Sequence, residues 1–347
     1  MLKKAIYLRL CVLLLLFTAC CLQACQHQSN ASSAFYYWKG TYEQSPEQSE
    51  LLQQTDSRRL YLRFMDVKWN SSTKQLAPEA VIRFRDSIGK TAVTPVIFIT
   101  NQSFEKIKIE ETDSLAFYLN KISQQLAAAQ HLNYESMQID CDWTVSTREK
   151  YFRFLSQLKK FSHKKLEATI RLHQVKYHFR TGIPPVDRGI LMFYNMGKLS
   201  ADLSARNSIY NKEDAAPYIS YLSSYKLPLD IALPLFSWSL HIRHGKLIQI
   251  YGKIGKTALN NQENFEPTEH KNVYRARKSF FLSGVYVKTN DLFKLEAVDS
   301  KLLTTAAKQL APQLHKNEKR NIIYYELGNL DLSSFKAKDL QKTSAYF

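Results

Sequence analysis

The sequence predicts an α/β protein, a closed (β/α)8 barrel of TIM type with a small α+β insertion between strands seven and eight. Three observations carry this. Short apolar runs of strand length recur at 35–38, 60–67, 95–100, 136–142, 166–173, 189–195, 229–236 and 321–327. Helical patterns fall between most of them, at 79–88, 113–131, 147–161, 213–225 and 301–315. Buried strands alternating with helices need a parallel sheet covered on both faces, and a count of eight suits a closed barrel. Finally, 347 residues that are 45% hydrophobic and 23% charged are ample for one such unit and argue against wholesale disorder.

The chain opens on an address. Lys3, Lys4 and Arg9 precede the apolar run 10–19, which is short for a permanent span. Leu22-Gln23-Ala24-Cys25 resembles a bacterial lipobox, and Phe17-Thr18-Ala19-Cys20 is a second candidate. Leu three residues ahead favours Cys25. The resemblance implies a signal peptide over 1–24 and a lipidated Cys25. It would place the chain in the bacterial cell envelope, lipid-anchored at the outer membrane or periplasmic face. An ordinary secretory signal or an anchor helix is the alternative. Residues 25–34 read as a polar tether and 35–347 as the barrel. Four of the five cysteines lie in the first 25 residues, so Cys141 alone remains for the body. Neither an internal disulfide framework nor a cysteine zinc site is expected.

Within the body, 147–161 is the clearest helix. Ser146 and Glu149 have capping-box spacing, and Tyr151, Phe154, Leu155 and Leu158 share one face. Residues 239–300 are too long for a barrel connection and contain strand-like runs at 246–251 and 279–287, hence the insertion.

Chemistry in such barrels sits at the C-terminal strand ends. Strand two ends with Asp66 after Arg63, and strand four with Asp140, Asp142 and Trp143. Arg171 and His173 close strand five, Tyr194 and Asn195 strand six, and Trp238 strand seven. Polar groups for hydroxyls and flat rings for C–H faces describe a carbohydrate pocket. All four Trp (38, 69, 143 and 238) fall near strand ends. Alternation turns Gln138, Asp140, Asp142 and Thr144 to the barrel interior and Cys141 outward. Neighbouring inward carboxylates repel, raising at least one pKa unless Arg63 or Arg171 compensates.

At strand four, Met137-Gln138-Ile139-Asp140-Cys141-Asp142-Trp143-Thr144 resembles the Asp-Gly-x-Asp-x-Asp-x-Glu signature of chitinase-like, family-18 glycoside hydrolases. Leu191-Met192-Phe193-Tyr194-Asn195 is similar to that family's Met-x-Tyr-Asp, and Ala232-Leu233-Pro234-Leu235-Phe236 to its Gly-x-Pro-x-Tyr. The resemblance implies that Asp142 holds a substrate acetamido group and Tyr194 contacts it. The family's proton donor, a Glu, is replaced by Thr144, and an Asp by Asn195. Either the site binds a glycan without cleaving it, or another carboxyl supplies the acid. For the latter, Asp142 with a raised pKa and Asp66 as its partner meet the two-carboxylate requirement, with Asp140 the third carboxyl of the set.

Other classes find little support. There is no Walker-type loop, Gly-x-Gly-x-x-Gly fingerprint or Gly-x-Ser-x-Gly elbow, and 10 Gly provide poorly for phosphate cradles, so no nucleotide cofactor is expected. His173 lacks the partners of a metal site. The formal net charge of +17 is dispersed and without a nucleic-acid signature. The reading is an envelope-anchored glycoside-hydrolase-like barrel that recognises, and in its enzymatic form hydrolyses, a polysaccharide or glycoconjugate. Tyr194, Asn195, His173, Trp238, Trp143 and Arg171 would be its sugar contacts. The alternative is a non-catalytic glycan-binding lipoprotein.

Overall fold

The computed structural model describes residues 31–316, 318–329 and 334–347. The expected signal peptide, with Cys20 and Cys25, lies outside the described residues.

Eight strands form the barrel: β1 Ala31–Tyr37, β2 Arg59–Asn70, β3 Ala92–Ile99, β4 Ser136–Asp140, β5 Lys165–Arg171, β6 Arg188–Met192, β7 Leu229–Pro234 and β8 Arg320–Tyr325. Each pairs in parallel with its sequence neighbour. Pairing of β1 with β8 closes the sheet. All eight predicted strands are present. The barrel begins earlier than expected, because Ala31, Ser32 and Ser33 pair with Arg320, Asn321 and Ile322 of β8. Small polar side chains did not betray a strand whose backbone is satisfied by its neighbour.

Helices cover the outside. Glu111–Ala129 and Arg148–Ser162 lie side by side, pinned by Arg153 donating to both oxygens of Asp113 at 2.9 and 3.0 Å. Tyr151, Phe154, Leu155 and Leu158 are wholly buried, as the pattern required. The expected cap differs: Thr147 is the N-cap and makes no capping bond. Its hydroxyl donates to Asn101 Oδ1 at 2.6 Å, while Ser146 pairs with the Thr144 hydroxyl at 2.8 Å. The 213–225 pattern is an α-helix over Lys212–Ile219 and a 3-10 turn over Leu222–Ser224, and 301–315 an α-helix over Ser300–Leu310 and a 3-10 turn over Ala311–Gln313. Asn211 and Asp299 cap the two α-helices through their side chains.

The helix expected at 79–88 is absent. β2 runs on past the barrel, turns at Asn70, whose side chain accepts from the Ser72 and Thr73 amides, and returns antiparallel as Gln75–Glu79. Extended pairing up to Asp66↔Glu79 leaves the chain no room to coil there, and the next segment pairs Arg83–Phe84 with Thr41–Tyr42.

The interior is polar as well as aromatic. Tyr36 donates to Gln138 Oε1 at 2.8 Å, and Gln138 Nε2 donates to the Thr169 hydroxyl at 3.0 Å. Between β7 and β8, residues 237–297 build a separate five-stranded antiparallel sheet and a hairpin, Phe280–Leu282 with Val285–Val287. Tyr251, Phe265, Tyr274 and Phe293 supply its own core.

Candidate functional site

The C-terminal strand ends converge on a rim of aromatic rings over a floor of carboxylates. From β1, Trp38 approaches Tyr325 at the end of β8, ring centroids 5.6 Å apart. Tyr325 stacks on Tyr194 at 5.4 Å and meets Phe236 edge-on at 5.8 Å, and Phe236 continues to Trp238 at 5.4 Å. Trp38, Tyr325, Phe236 and Trp238 are each half-buried. Tyr36 lies beneath, edge-on to both Trp38 and Tyr325. Strand alternation explains the arc: Tyr36 and Tyr325 point inward while Tyr324 points out, donating to Leu340 O.

Three of the four carboxylates here have close hydrogen-bond donors. Asp66 is buried and takes Arg63 Nε at 2.6 Å, with Lys68 Nζ at 3.7 Å. Asp142 is half-exposed and accepts from Arg171 Nε at 2.7 Å and its terminal nitrogen at 2.9 Å. Glu326, which follows the cis Tyr325–Glu326 peptide, accepts the amides of Trp38, Gly328 and Asn329, each at 3.1 Å. Asp140, the last residue of β4, is the fourth. Burial, with the charges of Asp142 and Asp66 nearby, pushes its carboxyl up to about 6, against the pull of the Thr169 hydroxyl and Arg171. The carboxyl with the raised pKa is thus Asp140, while the Arg171 guanidinium is bonded to Asp142. Asp66 pairs with Arg63, not with Asp142.

The remaining expected residues divide. Arg171, His173, Tyr194 and Asn195 line one small pocket of about 110 Å³ together with Met192, Met196 and Tyr218. Tyr194 is buried, its hydroxyl directed at the Met192 sulfur. Asn195 is exposed in the left-handed region (φ 53°), where an Asn is tolerated better than most residues. Met196 and Tyr218 also line a wider hollow of about 690 Å³ over the loop that follows β6. Trp238 stands at the mouth, donating to Glu296 Oε2 at 3.0 Å. Trp143 does not: it is 1% exposed, stacked on Tyr151 at 5.2 Å, and donates to Thr181 O. Its outward parity under helix Arg148–Ser162 makes it core. Thr144 is exposed, its hydroxyl tied to those of Ser146 and Thr147. Among the described residues, no three His, Cys, Asp or Glu side chains converge to hold a metal ion. Sequence reasoning missed Tyr325, Tyr36 and Glu326. The aromatic endings Phe35-Tyr36-Tyr37-Trp38 and Tyr324-Tyr325 were the available signal.

No protein-family model and no curated protein matches the sequence. Solved structures do match the fold. The spore cortex-lytic enzyme SleL of Bacillus megaterium QM B1551 is 12% identical over 91% of this chain and 74% of its own, with a TM-score of 0.56. The C-terminal domain of a putative chitinase from Desulfitobacterium hafniense DCB-2 gives 10% identity, 91% and 98% coverage, and a TM-score of 0.58. A chitinase-like agglutinin from Robinia pseudoacacia gives 12%, 90% and 98%, and 0.50. At these identities the likeness shows the closed parallel barrel shared with chitinase-like proteins.

Proposed function

We propose that the barrel mouth binds a glycan and that this chain is a recognition protein rather than a hydrolase. The observation that carries the reading is the half-buried arc Trp38–Tyr325–Phe236–Trp238 at the strand ends that also carry the Asp142–Arg171 pair. Flat apolar faces beside charged hydrogen-bonding groups match the two sides of a sugar ring. The rim position that would project a general acid carries Thr144, whose hydroxyl is too weak an acid for the task near neutral pH. Among solved structures of this fold, one is described as an agglutinin and others as chitinases, so both behaviours occur on it.

One observation favours the enzymatic reading: Asp140, pushed up to about 6, is a carboxyl able to give a proton. The test is an oligosaccharide panel applied to the protein and to its Trp38→Ala and Asp140→Asn variants. Saturable binding lost in Trp38→Ala, with no reducing ends released, supports recognition. Turnover abolished by Asp140→Asn replaces it with an enzyme whose acid is one layer deeper than the family signature places it.

The finer setting is part of the same proposal. Lys3, Lys4 and Arg9, the apolar run 10–19 and Leu22-Gln23-Ala24-Cys25 support lipidation at Cys25 and anchoring in a bacterial envelope. The mass of the mature chain checks it. A lipid adduct on Cys25 that disappears in Cys25→Ala is expected; an unmodified chain beginning elsewhere contradicts it.

A further inference from the structure

The insertion presents a surface that the mouth does not use. In its hairpin, Phe281 and Tyr286 stand opposite one another, ring centroids 5.2 Å apart, and are 73% and 45% exposed. Their neighbours Phe280, Leu282, Val285 and Val287 turn inward and pack in the insertion's own core. The outward pair is thus not needed to hold the hairpin. Ser283 and Gly284 at its tip both lie in the left-handed region (φ 47° and 82°), giving a tight turn that holds the two rings side by side.

The hairpin's own stretch of sequence is basic, with Glu263, Glu266, Glu269 and Asp291 flanking it. From residue 270 to 290 there is no Asp or Glu, whereas Lys271, Arg275, Arg277, Lys278 and Lys288 all fall there. Arg275, Arg277 and Lys278 have acidic neighbours only at 3.6–3.9 Å, in Glu266 and Glu263. Lys271 and Lys288 make no ion pair among the described residues. A sugar site needs acceptors for hydroxyl groups, as at the mouth, and the hairpin itself, residues 279–290, carries no carboxylate. A patch of two rings is also far smaller than a stable dimer requires.

We propose that the 280–287 hairpin docks on an anionic lipid bilayer, with Phe281 and Tyr286 seated at headgroup depth and the flanking Lys and Arg neutralising lipid charge. Aromatic side chains favour that depth, and juxtamembrane cations add attraction that salt screens. This contact is independent of glycan binding and of any N-terminal anchor.

The test uses the full chain with phosphatidylcholine vesicles, with and without phosphatidylglycerol, and reads hydroxyl-radical labelling of Phe281 and Tyr286. Labelling is expected to fall about fivefold on the anionic vesicles, to stay unchanged on neutral ones, and to recover in high salt. An N-terminal anchor would engage both vesicle types, so the difference reports the hairpin. A Phe281→Ser/Tyr286→Ser variant should lose about tenfold of the preference for anionic over neutral vesicles while keeping its thermal stability and its glycan binding. Unchanged labelling on anionic vesicles overturns the proposal. So does protection that follows soluble oligosaccharide or protein concentration without lipid.

Discussion

Asp140 and Asp142 sit two residues apart on one strand end, and a single guanidinium separates their behaviour. Arg171 grips Asp142 with two bonds, leaving the largely buried Asp140 lifted to about 6. A carboxyl whose folded pKa lies above its ordinary 3.8 favours folding below about pH 4, and that contribution is lost as pH rises through 6. Asp140→Asn should therefore stabilise the protein above pH 6, by about 1–2 kcal/mol after allowance for partial exposure, with the difference vanishing near pH 4. Thermal unfolding of both proteins across pH 3.5–7.5, a window set about those two values, checks it. Arg171→Ala should change stability by less than about 1 kcal/mol, since Asp142 is half-exposed, yet weaken ligand binding measurably in titration calorimetry. That these carboxylates face the mouth was legible from alternation along 136–142. Which one keeps its proton was not, because it depends on how far a side chain from the next strand reaches.

Among the elements, β6 is the tightest fit. A Cβ on Gly189 would stand 2.7 Å from Ile170 Cγ1 and 2.8 Å from Leu229 Cδ2, on the strands to either side. Gly189→Ala should destabilise the barrel by about 1–3 kcal/mol in denaturant unfolding, by forcing β5 and β7 apart. Trp143 and Trp38 make an instructive contrast. Trp143→Ala empties a stacked, buried site and should lower stability by about 3–5 kcal/mol. Trp38→Ala, at a half-buried ring, should cost less in stability and show chiefly in ligand binding. Sequence position did not separate these two, since both follow a strand. Trp143 lies on the outward parity, and helix Arg148–Ser162 packs over it. The misread at 79–88 has a similar origin: Ile82 and Ile88 are buried, but under an extended hairpin rather than on a helix face.

For the whole molecule, the order of strands was the most legible feature. Each of the eight runs is buried on both sides, so its composition alone marks it, and parallel closure of eight such strands leaves few alternatives. The insertion was legible by length, but the run 279–287, strand-like in sequence, folds as two short strands paired across Ser283 and Gly284. The aromatic arc was not, because Trp38, Tyr325, Phe236 and Trp238 are brought together only by closing β1 onto β8 beside the β7 end. Whether this mouth recognises a glycan without cleaving it is decided by one end-point assay. An oligosaccharide shown to bind saturably is incubated with the protein and its products are separated by mass. The ligand is expected back intact at every pH from 4 to 8, a range chosen to bracket the Asp140 value of about 6. Shortened oligosaccharides appearing with a pH profile that falls near 6, and absent with Asp140→Asn, would contradict it.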